Sequence, residues 1–276
     1  MQLIKRLALL LVATLALGLA GCSSLTLAYN QLPLLGGLWI DSYLDLDSTQ
    51  QARMKDKLRA WQAWHRREEL PQWVALLRQA GATLDDGVMT ADELLALERA
   101  ARASMERCLQ HAAPLAAPVL ADLRPQQWQH LRKHMDEKSA EWRERNTGHD
   151  GQVERGKRYV TTLERWLGDL DRPTRRQARA DAEAWHFDLA ALSQGRDTRE
   201  ARTLEALHAW ARQDLAGGTA TLMKLSQPLP VEQPYREEIM ASLLKLINGL
   251  DAQQREQVRR HWADWQSQLR ALQTAS

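Results

Sequence analysis

Val258-Arg259-Arg260-His261-Trp262-Ala263-Asp264-Trp265-Gln266-Ser267-Gln268-Leu269-Arg270-Ala271-Leu272 decides the fold class. Its apolar members Val258, Trp262, Trp265, Leu269 and Leu272 alternate steps of four and three, which puts them along one side of an α-helix. Polar and charged residues fill the other positions, so one stripe is buried and the rest is wetted. The stepping recurs at Trp128, Leu131, Met135 and Trp142, and again at Ala178, Ala182, Trp185, Leu189 and Leu192. Met54, Leu58 and Trp61 begin another stripe, and Val160, Leu163, Leu167 and Leu170 make one more. Leu, Ala, Arg, Gln and Glu dominate the chain, while Val and Ile are few and no run alternates with period two. Strong helix formers without strand signals predict an all-α protein, a multi-helix bundle.

Helix starts are written in a recurring form. Leu46-Asp47-Ser48-Thr49-Gln50, Leu123-Arg124-Pro125-Gln126-Gln127, Leu170-Asp171-Arg172-Pro173-Thr174 and Leu250-Asp251-Ala252-Gln253-Gln254 each place a Leu ahead of a capping sequence. Asp can accept from the N–H groups of the first turn, Gln three residues later can reach back, and Pro suits a position whose N–H has no partner. Thr90-Ala91-Asp92-Glu93 is a further capping box. The matching separations, Leu46 to Leu170 and Leu123 to Leu250, raise a duplication of two similar halves, 34–146 and 152–276, against independent use of one capping device. Breaks are expected at Gly81–Thr90, around Pro114 and Pro118, at Asn146–Gly151, at Gly195–Thr198 and at Gln227–Pro234.

The N-terminus carries an address. Lys5 and Arg6 precede an uncharged segment that closes on Leu19-Ala20-Gly21-Cys22. From Leu7 to Gly21 there are about fifteen residues, short of the roughly 20 that span a bilayer, so a cleaved signal peptide (1–21) fits better than a retained helix. Small residues before the cysteine form a lipobox, which makes Cys22 the lipidation site, 22–33 a lipidated tether and 34–276 the helical domain. The tether reaches at most ~40 Å, which keeps the body close to the membrane. Full-length, the chain has 37 Lys+Arg and 35 Asp+Glu; without Lys5 and Arg6 each sign numbers 35. A neutral, mixed surface lacks the basic footprint of a nucleic-acid binder, and none is expected. The expected partners are the bilayer, through acylated Cys22, and an envelope protein.

Chemistry-bearing residues are sparse. Cys108 is read as a core thiol, in register with Leu94, Ala101 and Met105, with His111 the only ionisable group near enough to activate it. His130 and His134, one turn apart with Glu137 and Glu141 on the same side, are weak metal candidates, and a solvated face is favoured over a metal site. No phosphate loop, nucleophile elbow, dinucleotide fingerprint or Cys-x-x-Cys pair is present, so neither a cofactor nor an enzyme is indicated. Trp61, Trp64, Trp128, Trp142, Trp185, Trp262 and Trp265 are read as core, with neighbouring polar residues such as His65, His186 and His261 as partners for indole N–H groups. Trp39 and Tyr43, near the tether, are placed to meet a membrane, a partner or the body itself.

Two resemblances follow from these motifs. Tyr29-Asn30, Trp39-Ile40-Asp41-Ser42-Tyr43-Leu44-Asp45-Leu46 and Trp64-His65-Arg66-Arg67-Glu68-Glu69-Leu70-Pro71 resemble an uncharacterised family of proteobacterial all-helical lipoproteins, a domain of unknown function, over the whole mature chain. The lipoprotein resemblance, with Ser23 rather than Asp after the cysteine, implies an outer-membrane anchor facing the periplasm, held by three acyl chains where one alone would bind weakly. The Leu-x-x-x-Gln openings resemble the Leu-Thr-x-x-Gln motif of small periplasmic stress chaperones, with Asp or Arg in place of Thr. Arg66, Arg67, Glu68 and Glu69 are read as a solvated helix end with weak ion pairs, or, with His65, as a face for a charged partner. The expected function is a non-catalytic interaction or envelope-maintenance lipoprotein; the alternative is a chaperone-like binder of unfolded envelope proteins.

Overall fold

The structure, a computed structural model, describes residues 26–85 and 87–274; Cys22 and the leader lie outside the described residues. Among these the protein is all-α, with no strand. After helical residues 26–30 come α1 (Leu32–Leu44), α2 (Ser48–Asp85), α3 (Ala91–Ala121), α4 (Pro125–Arg145) and α5 (Gly148–Leu167). Then follow α6 (Arg172–Ala184), α7 (Leu189–Ala211), α8 (Leu215–Leu225), a single 3₁₀ turn at Pro230–Glu232, α9 (Gln233–Gly249) and α10 (Ala252–Thr274).

The four Leu motifs open α2, α4, α6 and α10, and they meet in two pairs. At the first, Asp47 Oδ1 accepts from the Gln50 N–H at 3.0 Å, while the Asp47 N–H donates back to Gln50 Oε1 at 3.0 Å. Gln127 closes α4 in the same way by accepting from the Arg124 N–H at 3.0 Å. The two glutamines then lock together: Gln127 Nε2 donates to Gln50 Oε1 at 2.8 Å and to the Asp45 carbonyl at 2.7 Å. Gln50 Nε2 donates to the Asp122 carbonyl at 2.9 Å. In the second pair, Asp171 caps α6 by accepting from the Thr174 N–H at 2.8 Å. Asp251 and Gln254 cap α10 reciprocally at 2.8 Å, and Gln254 Nε2 crosses to Asp171 Oδ2 at 3.1 Å and Thr174 Oγ1 at 3.0 Å. A capping device that also bridges two helix starts explains why the Leu is fixed too: Leu46, Leu123, Leu170 and Leu250 are all buried beneath it.

Each pair of starts borders its own hydrophobic core. Leu44, Leu46, Met54, Ala113, Ala117, Leu120, Leu123, Leu131, Leu204 and Trp210 fill the core by the first pair. Leu77, Leu84, Leu94, Val160, Leu163, Leu167, Leu170, Ile247, Leu250, Val258 and Trp262 fill the core by the second. The cores do not follow a division into 34–146 and 152–276. α2 starts in one core and ends in the other, α3 runs back the opposite way, and α7 with α8 joins the core of the earlier helices.

Several local expectations change. α3 continues through Pro114 and Pro118, and α2 through Pro71, so neither helix breaks there. Each proline removes a backbone donor, but Ala113, Ala117, Val119 and Leu120 on α3 and Leu70 on α2 are buried, and that packing holds the helix. α7 also runs through Gly195–Thr198. Gly195 serves close approach there, since a Cβ would sit 3.0 Å from Val231 Cγ2 in the 3₁₀ turn. The stripe from Ala178 to Leu192 is in fact two helices, interrupted at Trp185–Asp188 because Asp188 caps α7 by accepting from the Ala191 N–H at 2.9 Å. Gly168 adopts φ +82° where α5 ends, a left-handed conformation that favours glycine. Indole partners also differ from expectation. Trp262 donates to the Trp166 carbonyl at 2.6 Å, Trp61 to the Cys108 carbonyl at 3.3 Å and Trp185 to Ser242 Oγ at 2.8 Å. The adjacent His186 and His261 do not accept these bonds; on α10, neighbours such as His261 and Trp262 point apart.

Candidate functional site

The Tyr29-Asn30 and Trp64–Arg67 motifs, far apart in sequence, come together. The Tyr29 hydroxyl is 3.0 Å from His65 Nδ1, and Arg66 Nη2 donates to Asn30 Oδ1 at 2.8 Å and lies over the Tyr29 ring. His65 stacks on Trp61 with ring centroids 4.8 Å apart, and Trp64 stacks on His111 at 4.2 Å. Burial lowers the His65 pKa, although the Glu69 charge opposes it. His65 is therefore half-buried and ties the Tyr29-Asn30 motif to α2. Arg67 is exposed and pairs with Glu68 at 2.8 Å.

Glu69 departs furthest from a solvated helix end. It is 1 % exposed, in the middle of α2, and accepts from Arg107 Nε at 2.7 Å, Arg107 Nη2 at 2.9 Å and Ser104 Oγ at 2.7 Å. Burial alone would raise its pKa, but the hydrogen bonds and charge of Arg107 outweigh that and hold it below the ordinary carboxylate range. Cys108, the next residue, is half-buried, and burial with the Glu69 charge pushes its thiol up to about 11. Met105 is exposed, so the buried face of α3 runs through Ser104 instead of Met105. The sequence hides this because a serine that hydrogen-bonds a buried carboxylate looks polar and surface-bound.

His130 and His134 face α1. His130 Nε2 is 3.2 Å from the Ser42 carbonyl, and the His134 ring lies 4.3 Å from that of Tyr43. Glu137 and Glu141 are engaged by Lys133 and Lys138. Among the described residues no group of three or more His, Cys, Asp or Glu is placed to hold a metal ion. Tyr43 thus packs on the body, while Trp39, 4.9 Å from it, is 63 % exposed. Leu27, Leu34, Leu35 and Leu38 are exposed beside it, and no charged residue occurs between Arg6 and Asp41.

A roomy concavity lies elsewhere. A cavity of about 960 Å³ opens where α5, α7 and α9 meet the ends of α4 and α6, within the roughly 300–1,000 Å³ typical of small-molecule sites. Trp142, Tyr159, Trp166, Trp185, Phe187, Tyr235 and Trp262 contribute aromatic surface, and Leu192, Ile239 and Leu243 aliphatic surface. Six arginines and two glutamates supply its charge. Both acids are engaged: Glu98 takes Arg102 at 2.6 Å and also Arg236, and Glu232 takes Arg199. Arg158 donates to Asn146 Oδ1 at 2.7 Å, and Arg196 to Ser139 Oγ at 2.5 Å.

Arg155 stands apart. It is 9 % exposed, its Nε is buried without a hydrogen-bond partner, and among the described residues it forms no ion pair. Its guanidinium lies 4.0 Å from the Phe187 ring centroid. A buried, unpaired charge costs several kcal/mol, and a desolvated cation–π contact returns about 2 kcal/mol of it. Burial accordingly lowers the Arg155 pKa, yet an arginine stays charged at any physiological pH. The Tyr159 hydroxyl, one turn away, is also buried without a partner, and burial pushes its pKa up. Stepping back by fours from Leu167 and Leu163 gives Tyr159 and Arg155. A charge in register with an apolar stripe is the signal by which the sequence marks this site.

Fold and site together define a class: an all-helical bundle with an arginine-containing aromatic cavity beside its second core. Residues 42–229 match the model of a family of unknown function, DUF6279, and the chain belongs to that family. The matched stretch includes the Glu69 cluster and Arg155, and leaves out Tyr29-Asn30 and the Leu250 motif. No curated protein and no solved structure matches the chain.

Proposed function

We propose that the protein is a non-catalytic lipoprotein of the bacterial envelope, anchored in the outer membrane through acylated Cys22, facing the periplasm and presenting its bundle to an envelope protein. The observation that carries this reading is the apolar, uncharged approach to the bundle. The residues from Cys22 to Ile40 hold no charge, and the first described helix exposes Leu34, Leu35, Leu38 and Trp39. Such a face is costly in water but suits the interface of a bilayer, where an indole is at home. No described helix is long and apolar enough to cross a membrane, so a lipid on Cys22 would supply the attachment. A non-catalytic role is favoured because Glu69, Glu98 and Glu232 are each committed to arginines that join helices.

Intact-mass spectrometry of the protein purified from bacterial membranes should find the leader removed and Cys22 acylated. Cys22→Ser should release most of it into the soluble periplasmic fraction. Leu35→Glu with Leu38→Glu, both at exposed positions, should keep the fold while weakening vesicle flotation of the Cys22→Ser protein. An uncut leader with a free Cys22 thiol refutes the reading. In-cell crosslinking that yields one envelope protein supports docking, whereas suppressed aggregation of unrelated clients would instead support the chaperone-like alternative.

A further inference from the structure

We propose that the cavity around Arg155 binds a single-chain anionic amphiphile, its carboxylate or phosphate on the Arg155 guanidinium and its hydrocarbon along the aromatic wall. Three observations point the same way. Arg155 is nine-tenths buried, carries a charge it cannot shed, lies against the face of Phe187 with Tyr235 and Arg158 near it, and among the described residues has no carboxylate partner. The acids that share the cavity, Glu98 and Glu232, are already taken by Arg102, Arg236 and Arg199, so the missing counter-charge has to come from outside. The Tyr159 hydroxyl, one turn from Arg155 on α5, has a donor to give and no acceptor.

The rest of the cavity sets the ligand's other end. At about 960 Å³ the space is far larger than an inorganic anion needs, and Trp185, Phe187 and Leu192 offer it little to hydrogen-bond. An aromatic lining alone would suit a quaternary ammonium, but a buried guanidinium repels one. A chain with an anionic head satisfies both parts. The inference concerns α5 and its neighbours and stands apart from lipidation at Cys22, so either can fail alone.

The test is titration of the full-length protein, held in amphipol, with octanoate, octyl phosphate, octanol and inorganic phosphate, read by tryptophan fluorescence and native mass spectrometry. Octanoate or octyl phosphate should saturate one site at least tenfold more tightly than octanol, and inorganic phosphate should bind no more tightly than octanol. The tighter of the two anions separates a fatty-acid source from a phospholipid one. Arg155→Met should abolish that preference and, without ligand, raise the Tm, because it removes an uncompensated charge. Tyr159→Phe, which keeps the ring, should weaken binding two- to tenfold and gives a second readout should Arg155→Met fail to fold. Equal binding of octanol and octanoate, no saturable site, or full anion preference in Arg155→Met overturns the proposal.

Discussion

Arg107→Ala should lower stability by about 3 kcal/mol, measured by urea unfolding at neutral pH. For a chain of this size that is a fall in Tm of roughly 6–12 °C. The reason is the partner left behind. The Glu69 side chain is 2 % exposed against 42 % for Arg107, so the substitution strands a carboxylate that water reaches poorly. Some water follows the shortened side chain in, which places the cost at the lower end for a broken buried pair. Glu69→Leu added to Arg107→Ala should recover much of the loss, because an apolar group in that position needs no counter-charge. The pH dependence gives an independent check. In the native protein the Glu69 pKa lies below its unfolded value, so its contribution is present above about pH 4.3 and is lost as pH falls through the folded pKa. In Arg107→Ala burial is opposed only by the Ser104 hydroxyl and His65, so the pKa should rise and protonation should favour folding. The stability gap between the two proteins should therefore begin to narrow above about pH 4.3, as the variant's Glu69 takes up its proton, and go on narrowing as pH falls through the native Glu69 pKa. A gap that does not vary with pH would mean that packing, and not charge, carries the interaction.

Gln127→Ala should be nearly as damaging, at about 2–4 kcal/mol, while the corresponding change at Gln254 should cost about 0.5–1 kcal/mol. Both glutamines occupy the same motif position, and both bridge two helix starts. Gln127 is 2 % exposed, and its loss takes the donor from the Asp45 carbonyl, the acceptor from the Arg124 N–H and one of two donors from Gln50 Oε1 in a dry interior. Gln254 is partly exposed, and water can replace it on Asp171 and Thr174. Equal costs at the two positions would show that the cap alone matters and that the bridge between helices contributes little.

Helix class, stripes and helix starts were legible because each is local. Val258, Trp262 and Leu272 declare a buried side by spacing, and Asp47 or Thr90 declares a start by chemistry. The failures come where distant packing overrode a local rule. Pro114 and Pro118 read as breaks, yet buried neighbours keep α3 whole. Trp185 and Leu189 read as one stripe, yet Asp188 ends one helix and begins the next. Glu69 read as solvent-facing because its ion-pair partner is 38 residues away on another helix. The cavity was missed for a similar reason. Its wall collects residues from most of the later helices, and only Arg155, a charge in apolar register, marks it in one dimension.

α2 is 38 residues long, about 57 Å from end to end, and with the antiparallel α3 it runs through both cores. Such a girder makes the protein indivisible. A protease nick at the turn after Arg145 would separate two pieces that share both cores, the later lending Leu204 and Trp210 to the first and the earlier lending Leu77, Leu84 and Leu94 to the second, so neither would stand by itself. The bundle is therefore expected to melt in a single step and to reassemble from two cleaved fragments only when both are present.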